Sequence, residues 1–294
     1  MPIKPSAPAK AKPKAPAAPS DPADALPRPP PWWKTLRAEP PSWIGKLLGL
    51  GCVLLLLAIW WWFTHGAAVE RRISPSKLPS PGEVWAARNS PPDGAIIDGI
   101  IASLTRVLEG FGLAVVFGVG LGVVAASYRA VLAFLQPLII FGRSVPISAL
   151  LPITLLFFGI AEKQKVMFIF IATVPFVFSD TVKAISLVPE RFIETAQTLG
   201  ASRRQIILKV LFPLALPDIV TGLRFMFGLA FGYIMIAEVL NAKDGLGFLI
   251  NMAEKRFNQP LSYLLLVLIA VLAYLLDWTI RFFQRHAFPY RKDL

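Results

Sequence analysis

The 294 residues of the chain are 55% hydrophobic and only 16% charged, a composition typical of an integral membrane protein. The formal net charge is +12, but the basic residues are spread over tails and loops between apolar segments, which argues against a nucleic-acid partner. Cys52 is the only cysteine and the two histidines, His65 and His286, lie far apart, so we expect no disulfide, no metal site and no cofactor.

Residues 1–45 are rich in proline, alanine and lysine, which predicts a disordered tail that is partly extended as polyproline II. Its lysines can contact anionic lipid headgroups, although a solvated tail is the favoured interpretation. Residues 46–64 follow as a first membrane span of roughly the required 20 residues. Trp60, Trp61 and Trp62 at its far end form an aromatic belt that holds the helix at the interface.

Residues 65–95 are polar and proline-rich and form a predicted loop outside the bilayer. Residues 96–109 are interpreted as an amphipathic lead-in to a second span at 110–126. Four glycines, Gly112, Gly118, Gly120 and Gly122, make this span thin on one side and permit close helix contact, for which ordinary internal packing is the favoured role.

A third span at 131–160 is broken by Pro137, Pro146 and Pro152, whose freed carbonyls need neighbours or a wet cavity. Arg143 stands inside this span with Ser144 beside it. Two interpretations stay open for Arg143: it lies at the cytoplasmic interface with its side chain reaching out, or it faces a translocation pathway.

The remaining spans are predicted at 166–178, 216–240 and 261–283. An ionisable residue inside such a span costs roughly 2.5–3.5 kcal/mol on insertion scales, so each one requires a reason. Glu238 either lines the pathway near its outer mouth or pairs with an arginine of a neighbouring helix. Arg224 is interpreted as an interface anchor, and Asp277 as a structural hydrogen-bonding group.

Between the fourth and fifth spans lies the only long polar and amphipathic segment, which predicts two helices joined by a glycine. The first covers 190–199 and ends at Gly200 in a left-handed cap. Ser202 caps the second helix and Gln205 completes a capping box. One face of the first helix is apolar and free of partners, and it carries Phe192, Ala196 and Leu199.

This segment resembles the EAA loop of the permease subunits of binding-protein-dependent ABC importers. The resemblance rests on the run Glu194-Thr195-Ala196, on Gly200 and on Pro213, at the family's spacings. The chain departs from the family pattern only by mild changes at Thr195, Val210 and Phe212. Segments similar to the nitrate/taurine/sulfonate group of these permeases extend from Ser74 to the C-terminus, namely 103–111, 149–160, 198–206 and 221–250.

The resemblance implies an all-α integral membrane protein with the type I ABC importer permease fold: a core at 96–284, a coupling loop at 189–213 and a C-terminal tail at 285–294. It also implies a homodimer in a bacterial inner membrane, cytoplasmic ATP-binding ABC subunits and a periplasmic or lipid-anchored substrate-binding protein. The residues implied to couple to the ATPase are Glu194, Thr195, Ala196, Leu199, Gly200, Ala201 and Ser202. The implied solute is a small anion such as nitrate, taurine, an alkanesulfonate or bicarbonate.

Six spans place both termini and this coupling loop on one side of the membrane, and the excess of basic residues makes that side cytoplasmic. The sequence contains no phosphate-binding P-loop, so the chain must take its energy from a partner. Two other classes remain open. A secondary transporter or channel leaves the capped loop unexplained, and a membrane-embedded enzyme needs a constellation of acid, base or nucleophile that the sequence lacks.

Overall fold

A computed structural model describes residues 35–66 and 71–290, and all regular structure in this part is helical, as predicted. A 3-10 turn covers Ala87–Asn89, and a π-helical turn covers Ile207–Leu211. The α-helices are, in chain order, α1 (Ser42–Thr64), α2 (Pro81–Ala86), α3 (Ala95–Ser127), α4 (Arg129–Ser144), α5 (Ile147–Phe158), α6 (Glu162–Ser186), α7 (Glu190–Thr198), α8 (Arg203–Ile206), α9 (Phe212–Asn241), α10 (Leu246–Lys255) and α11 (Gln259–Ala287).

Five helical stretches in the described part are long and apolar enough to cross a membrane: α1, α3, α6, the stretch from α8 through α9, and α11. A sixth crossing results when the bent pair α4 and α5 counts as one span. The prediction of about six spans is therefore confirmed. Helices α6, α9 and α11 each extend beyond the predicted span at both ends.

The chain divides into two units at residue 59, and the described part of the first unit is residues 35–59. Helix α1 begins at Ser42, directly after two prolines, so residues 42–45 are helical and do not belong to a disordered tail as predicted. Its leucines are about half exposed, which is expected of an apolar helix that lipid or another protein covers. Residues 1–34, with the lysines of the predicted tail, lie outside the described residues, as do the basic residues at 291–292.

The predicted outer loop after α1 contains α2, which a complete capping box fixes. The backbone N–H of Ser80 donates to Glu83 at 2.8 Å, and the N–H of Glu83 donates to the Ser80 hydroxyl at 3.3 Å. The hydrogen bond from Arg71, together with the Ser80 N–H, lowers the pKa of Glu83 to about 2. Tyr263 of α11 donates to the Lys77 carbonyl at 3.0 Å, so this loop is attached to the start of α11.

Helix α3 is one continuous helix of 33 residues, so the prediction of a separate lead-in at 96–109 is wrong. At 1.5 Å per residue it is roughly 50 Å long, well beyond the roughly 30 Å of a hydrocarbon core. No proline interrupts the segment, and its N-terminal half packs against α9 and α10, with Ser103 hydrogen-bonded to Glu238 and Gly99 beside Leu249. The length of this helix therefore cannot be predicted from the thickness of the membrane.

Helices α3 and α6 run parallel and meet along three glycines of α3. A Cβ atom added at Gly110 would lie 2.6 Å from the Val166 carbonyl oxygen, and one at Gly118 would lie 2.8 Å from Val177. A Cβ at Gly122 would lie 2.7 Å from Thr181. The backbones can approach this closely only because the side chains are absent.

The predicted glycine face was only partly right, because Gly112 and Gly120 have no such neighbour within 4 Å in the described chain.

The contrast between Gly118, which contacts α6, and Gly120, which does not, supplies a matched pair of variants. We expect Gly118→Val to reduce the folded permease in the membrane, at a cost of about 1–3 kcal/mol for overpacking. Gly120→Val should stay near wild type. Yield and melting temperature in detergent check this, and equal losses in both variants would contradict the packing described.

The third predicted span is a broken pair of helices, bent by 104° between α4 and α5. The bend lies at Val145 and Pro146, and Pro137 and Pro152 sit inside the two helices. None of the residues of α4 is buried in this chain. Helix α4 thus contributes nothing to the buried core of the described chain, whereas α5 contributes Leu151 and Thr154.

Helix α10 was not predicted; Gly245 precedes it and Gly247 lies in its first turn, and glycines of this kind are more typical of a loop. It packs against α9, α11 and the N-terminal half of α3. The main hydrophobic core joins these elements to α6, and it includes Phe168, Phe231 and Leu246.

Candidate functional site

The junction after α7 has the predicted left-handed cap. Gly200 has a φ of +77°, and the N–H of Ala201 donates to the Ala196 carbonyl at 2.9 Å. The N–H of Gly200 donates to the Gln197 carbonyl at 2.9 Å, which completes a Schellman motif. The two helices of the loop therefore meet at an angle that the backbone itself defines.

The predicted capping box after this glycine is also present. The N–H of Ser202 donates to the Gln205 side chain at 2.8 Å, and the N–H of Gln205 donates to the Ser202 hydroxyl at 3.4 Å. The second helix differs from the prediction, because α8 is only one turn long and continues as the π-helical turn into α9. Pro213 follows two residues later and has no N–H to close a regular turn, which accommodates this irregularity.

The loop is anchored by a second hydrophobic cluster at the ends of α6 and α9. Ala196 and Ile206 are buried there beside Ala184, Leu211 and Ala215. Ala196 was predicted on the free apolar face, and the structure places it against its own chain instead. Its small side chain lets α7 lie close to the transmembrane helices.

The free surface of the loop consists of the other predicted coupling residues. Glu194, Thr195, Gly200 and Ser202 are exposed, and Leu199 is 82% exposed; Ala201 is half-buried. Phe192, beside Leu199, is 38% exposed. A rigid apolar surface with a carboxylate nearby is therefore available at this end of the molecule.

A buried ionic network lies at the opposite end, around Arg106 of α3. Arg106 is 4% exposed and Glu238 of α9 is fully buried, with 2.7 Å between Nη1 and Oε1. The same guanidinium donates from Nη1 to the Asp244 carbonyl oxygen at 3.0 Å and from Nη2 to the Asp244 carboxylate. Its Nε contacts Glu162 of α6, which also pairs with Lys165. One arginine thus joins α3, α6, α9 and the loop before α10.

The Glu238 carboxylate has two further hydrogen-bond donors. The hydroxyl of Ser103 lies 2.9 and 2.8 Å from its two oxygens, and the N–H of Gly247 donates at 3.0 Å. Gly245 has a φ of +109°, and a Cβ there would lie 2.5 Å from this carboxylate. Gly245 and Gly247, at the start of α10, therefore leave the space that the Glu238 side chain occupies.

This geometry decides between the two interpretations of Glu238. Its carboxylate pairs with an arginine of a neighbouring helix and reaches no surface of the described chain. The interpretation that Glu238 lines the pathway is therefore wrong, and the arginine of a neighbouring helix with which it pairs is Arg106. Arg106 was missed, although it is the only arginine between residues 95 and 127 and stands in an apolar segment.

Arg143 and Ser144 lie at the bend between α4 and α5, and both are exposed. The Arg143 guanidinium lies 5.4 Å from the centre of the Phe176 ring, and Asp180 one turn further along α6 interacts with it electrostatically. No carboxylate of the described chain is within ion-pair distance of Arg143. Arg143 is thus an exposed cation whose nearest charged and aromatic neighbours in the described chain belong to α6.

Helices α9 and α11 share a separate polar cluster. Arg224 pairs with Asp277 at 3.1 Å, and Asp277 also pairs with Arg281 at 2.6 Å. The Gln284 amide donates to Thr221 at 2.7 Å and accepts from Arg224 at 3.3 Å. Asp277 therefore has the structural hydrogen-bonding geometry expected of it, whereas Arg224 is held by partners instead of only reaching towards an interface.

Comparison with known proteins identifies the family. The family model described as the binding-protein-dependent transport system inner membrane component matches residues 118–288. The taurine transport system permease protein TauC of Escherichia coli is 32% identical over 253 residues, which cover 84% of this chain and 90% of TauC. This chain belongs to that family of inner-membrane permeases.

Two further relatives of the permease are named for other solutes. The bicarbonate transport system permease protein CmpB of Synechococcus elongatus is 30% identical over 254 residues, covering 82% of this chain and 89% of CmpB. The nitrate import permease protein NrtB of a Synechocystis species is 32% identical over 248 residues, covering 81% and 87%. The resemblance to the nitrate/taurine group is thereby confirmed.

The solved structures agree on the fold. The inward-facing MetNI methionine ABC transporter matches with a TM-score of 0.59 and 24% identity, over 66% of this chain and 96% of the matched chain. An amino acid ABC transporter matches with a TM-score of 0.57 and 16% identity, over 71% and 98%. The permease thus has the predicted type I importer fold.

Proposed function

We propose that two copies of this permease form the pathway of an ABC importer for a small anionic solute in a bacterial inner membrane. Cytoplasmic ATP-binding subunits would drive it, and a periplasmic or lipid-anchored binding protein would supply it. The observation that carries this proposal is the rigid, exposed loop surface around Leu199 and Glu194, on a chain whose sequence lacks a P-loop. Such a surface suits a soluble ATPase, and ATP hydrolysis would reside in that partner.

The pathway in this proposal passes the bend between α4 and α5. Arg143 and Ser144 are exposed there, and a proline-broken backbone is tolerated at membrane depth where it lines a cavity. An arginine without a close carboxylate partner attracts an anion, which agrees with the solutes in the names of the relatives. We assign the solute to the class of nitrate, bicarbonate, taurine and alkanesulfonates.

The proposed orientation puts the coupling loop at 189–213 and both termini, including the tail at 285–294, in the cytoplasm. The loop at 65–95 then lies outside, and the Arg106 network lies towards the same side of the membrane. Thiol labelling in a Cys52→Ser background checks this. A cysteine at Ser76 should react with an impermeant reagent in intact cells, and one at Gln197 only after the cells are opened; both side chains are exposed. Labelling of the Gln197 position from outside would contradict the orientation.

Reconstitution tests the function itself. The permease, the ATPase subunit and the binding protein of its transport system are placed in vesicles, and uptake of labelled taurine, nitrate and bicarbonate is measured with and without ATP. We expect ATP-dependent uptake of one of these solutes, and a large loss of uptake in Arg143→Gln without loss of assembly. Uptake without the ATPase subunit would favour a secondary transporter or channel instead.

A further inference from the structure

Helix α10 ends in a turn that normally requires glycine. The N–H of Asn258 donates to the Ala253 carbonyl at 2.9 Å and that of Phe257 donates to the Glu254 carbonyl at 3.0 Å, which is a Schellman motif. The same hydrogen bonds end α7, where the left-handed residue is Gly200. In α10 it is Phe257, with a φ of +53°. A bulky L side chain is unfavourable in this conformation.

Packing within the described chain does not compensate for the energetic cost of this left-handed conformation. The Phe257 side chain is 87% exposed, so its ring gains little from burial in the described chain. The turn around it is nevertheless well fixed. Ala253 is buried, and the Asn258 side chain accepts from the N–H of Leu261 at 3.3 Å, which caps α11. The ring is thus held in one direction by ordered backbone on both sides.

The turn lies at the outer end of the molecule in the proposed orientation. Helix α10 packs against the ends of α3 and α9 that carry Arg106 and Glu238, away from the coupling loop. Helix α11 begins directly after the turn. Lys255 and Arg256 precede Phe257 and are both exposed, as is Glu254 before them, so this turn carries two positive charges and one negative charge.

We propose that Lys255, Arg256 and Phe257, called here the outer knob, dock the extracytoplasmic binding protein. This rests on the proposed function and assigns a surface to one of its partners. The matching surface is an apolar socket with carboxylates at its rim, complementary in shape and charge. Strained backbone persists where a fixed direction has a use, and a protein socket rewards a fixed ring direction. Fluid lipid does not, and interfacial anchors are typically Trp and Tyr, whose polar edges Phe lacks.

The test uses the reconstituted transporter with the binding protein that supports uptake by the wild type. Phe257→Gly removes the ring and relieves the left-handed strain, so we expect a melting temperature equal to or above that of the wild type. The concentration of binding protein for half-maximal uptake should rise about tenfold, as for a central interface aromatic. Phe257→Tyr should stay near wild type, as should Leu266→Ala, a change at an exposed apolar residue of α11.

A charge reversal tests the other half of the outer knob. The double variant Lys255→Glu, Arg256→Glu should raise the same concentration, with a smaller effect at high salt. Unchanged half-saturation in both this variant and Phe257→Gly overturns the proposal. So does a Phe257→Gly effect confined to stability in vesicles, which would assign the ring to lipid. If no binding protein supports wild-type uptake at any concentration, the proposed function fails, and the outer knob fails with it.

Discussion

Arg106→Met is expected to remove most of the folded permease from the membrane. The change leaves the Glu238 carboxylate fully buried with only the Ser103 hydroxyl and the Gly247 N–H as donors. Breaking a buried ion pair from one side costs about 3–5 kcal/mol, because the remaining charge is neither paired nor solvated. That is a large fraction of the stability of a typical protein. The yield of monodisperse protein and its melting temperature measure the loss.

The partners of Arg106 make the effect asymmetric. Glu238→Gln leaves the guanidinium with Glu162 and Asp244, so this variant should be much milder than Arg106→Met. The double variant Arg106→Met, Glu238→Gln removes both buried charges and should recover most of the yield. Glu162 and Asp244 then remain solvated, since their side chains are 62% and 61% exposed.

Arg88→Met is the matched control for the loss of an arginine. Arg88 is exposed and lies over the Trp85 ring at 4.6 Å, so its removal should change stability by about 0.5 kcal/mol or less. A wild-type yield of Arg106→Met would show that the network contributes little. A double variant no better than Arg106→Met alone would show that the cost does not come from an unpaired Glu238.

Local features of the coupling loop were predictable from the sequence. The cap at Gly200 and the box of Ser202 with Gln205 depend on residues at most five positions apart, and the sequence shows them directly. The partner of Glu238 was not predictable in this way. Arg106 lies 132 residues earlier, and no periodicity connects the two positions.

The remaining misses have related causes. Helix α10 was missed. Glycine occurs at positions 245 and 247 because the Glu238 side chain of α9 occupies the space beside them, which the sequence does not show. The length of α3 was misjudged because an apolar run was cut to bilayer thickness, although one face of its N-terminal half packs against α9 and α10. The prediction of a glycine face on α3 was half right. The sequence shows where the glycines are, but only the position of α6 determines which of them lie in the contact between the two helices.

Gly200→Val is expected to uncouple the permease without unfolding it. A β-branched residue at a φ of +77° is strained by about 1–3 kcal/mol, and the junction between α7 and α8 must change shape to relieve it. The position is open, with no atom within 4 Å of an added Cβ, so the transmembrane helices are not disturbed. Insertion and assembly of two copies should therefore be normal, while association with the ATPase subunit and uptake are lost.

Gly200→Asn is the control that replaces the glycine but keeps the left-handed backbone conformation. Asparagine tolerates the left-handed conformation, so this variant should retain most ATPase binding and uptake. A strain of 1–3 kcal/mol corresponds to a factor of roughly 5 to 150 between competent and altered loops, which is large enough for pull-down of the ATPase subunit to resolve. Glu194→Ala leaves the shape intact and removes one exposed carboxylate, so its effect should be smaller than that of Gly200→Val. If Gly200→Val binds the ATPase and transports as well as Gly200→Asn, the junction only ends a helix, and the coupling role proposed for its fixed angle is wrong.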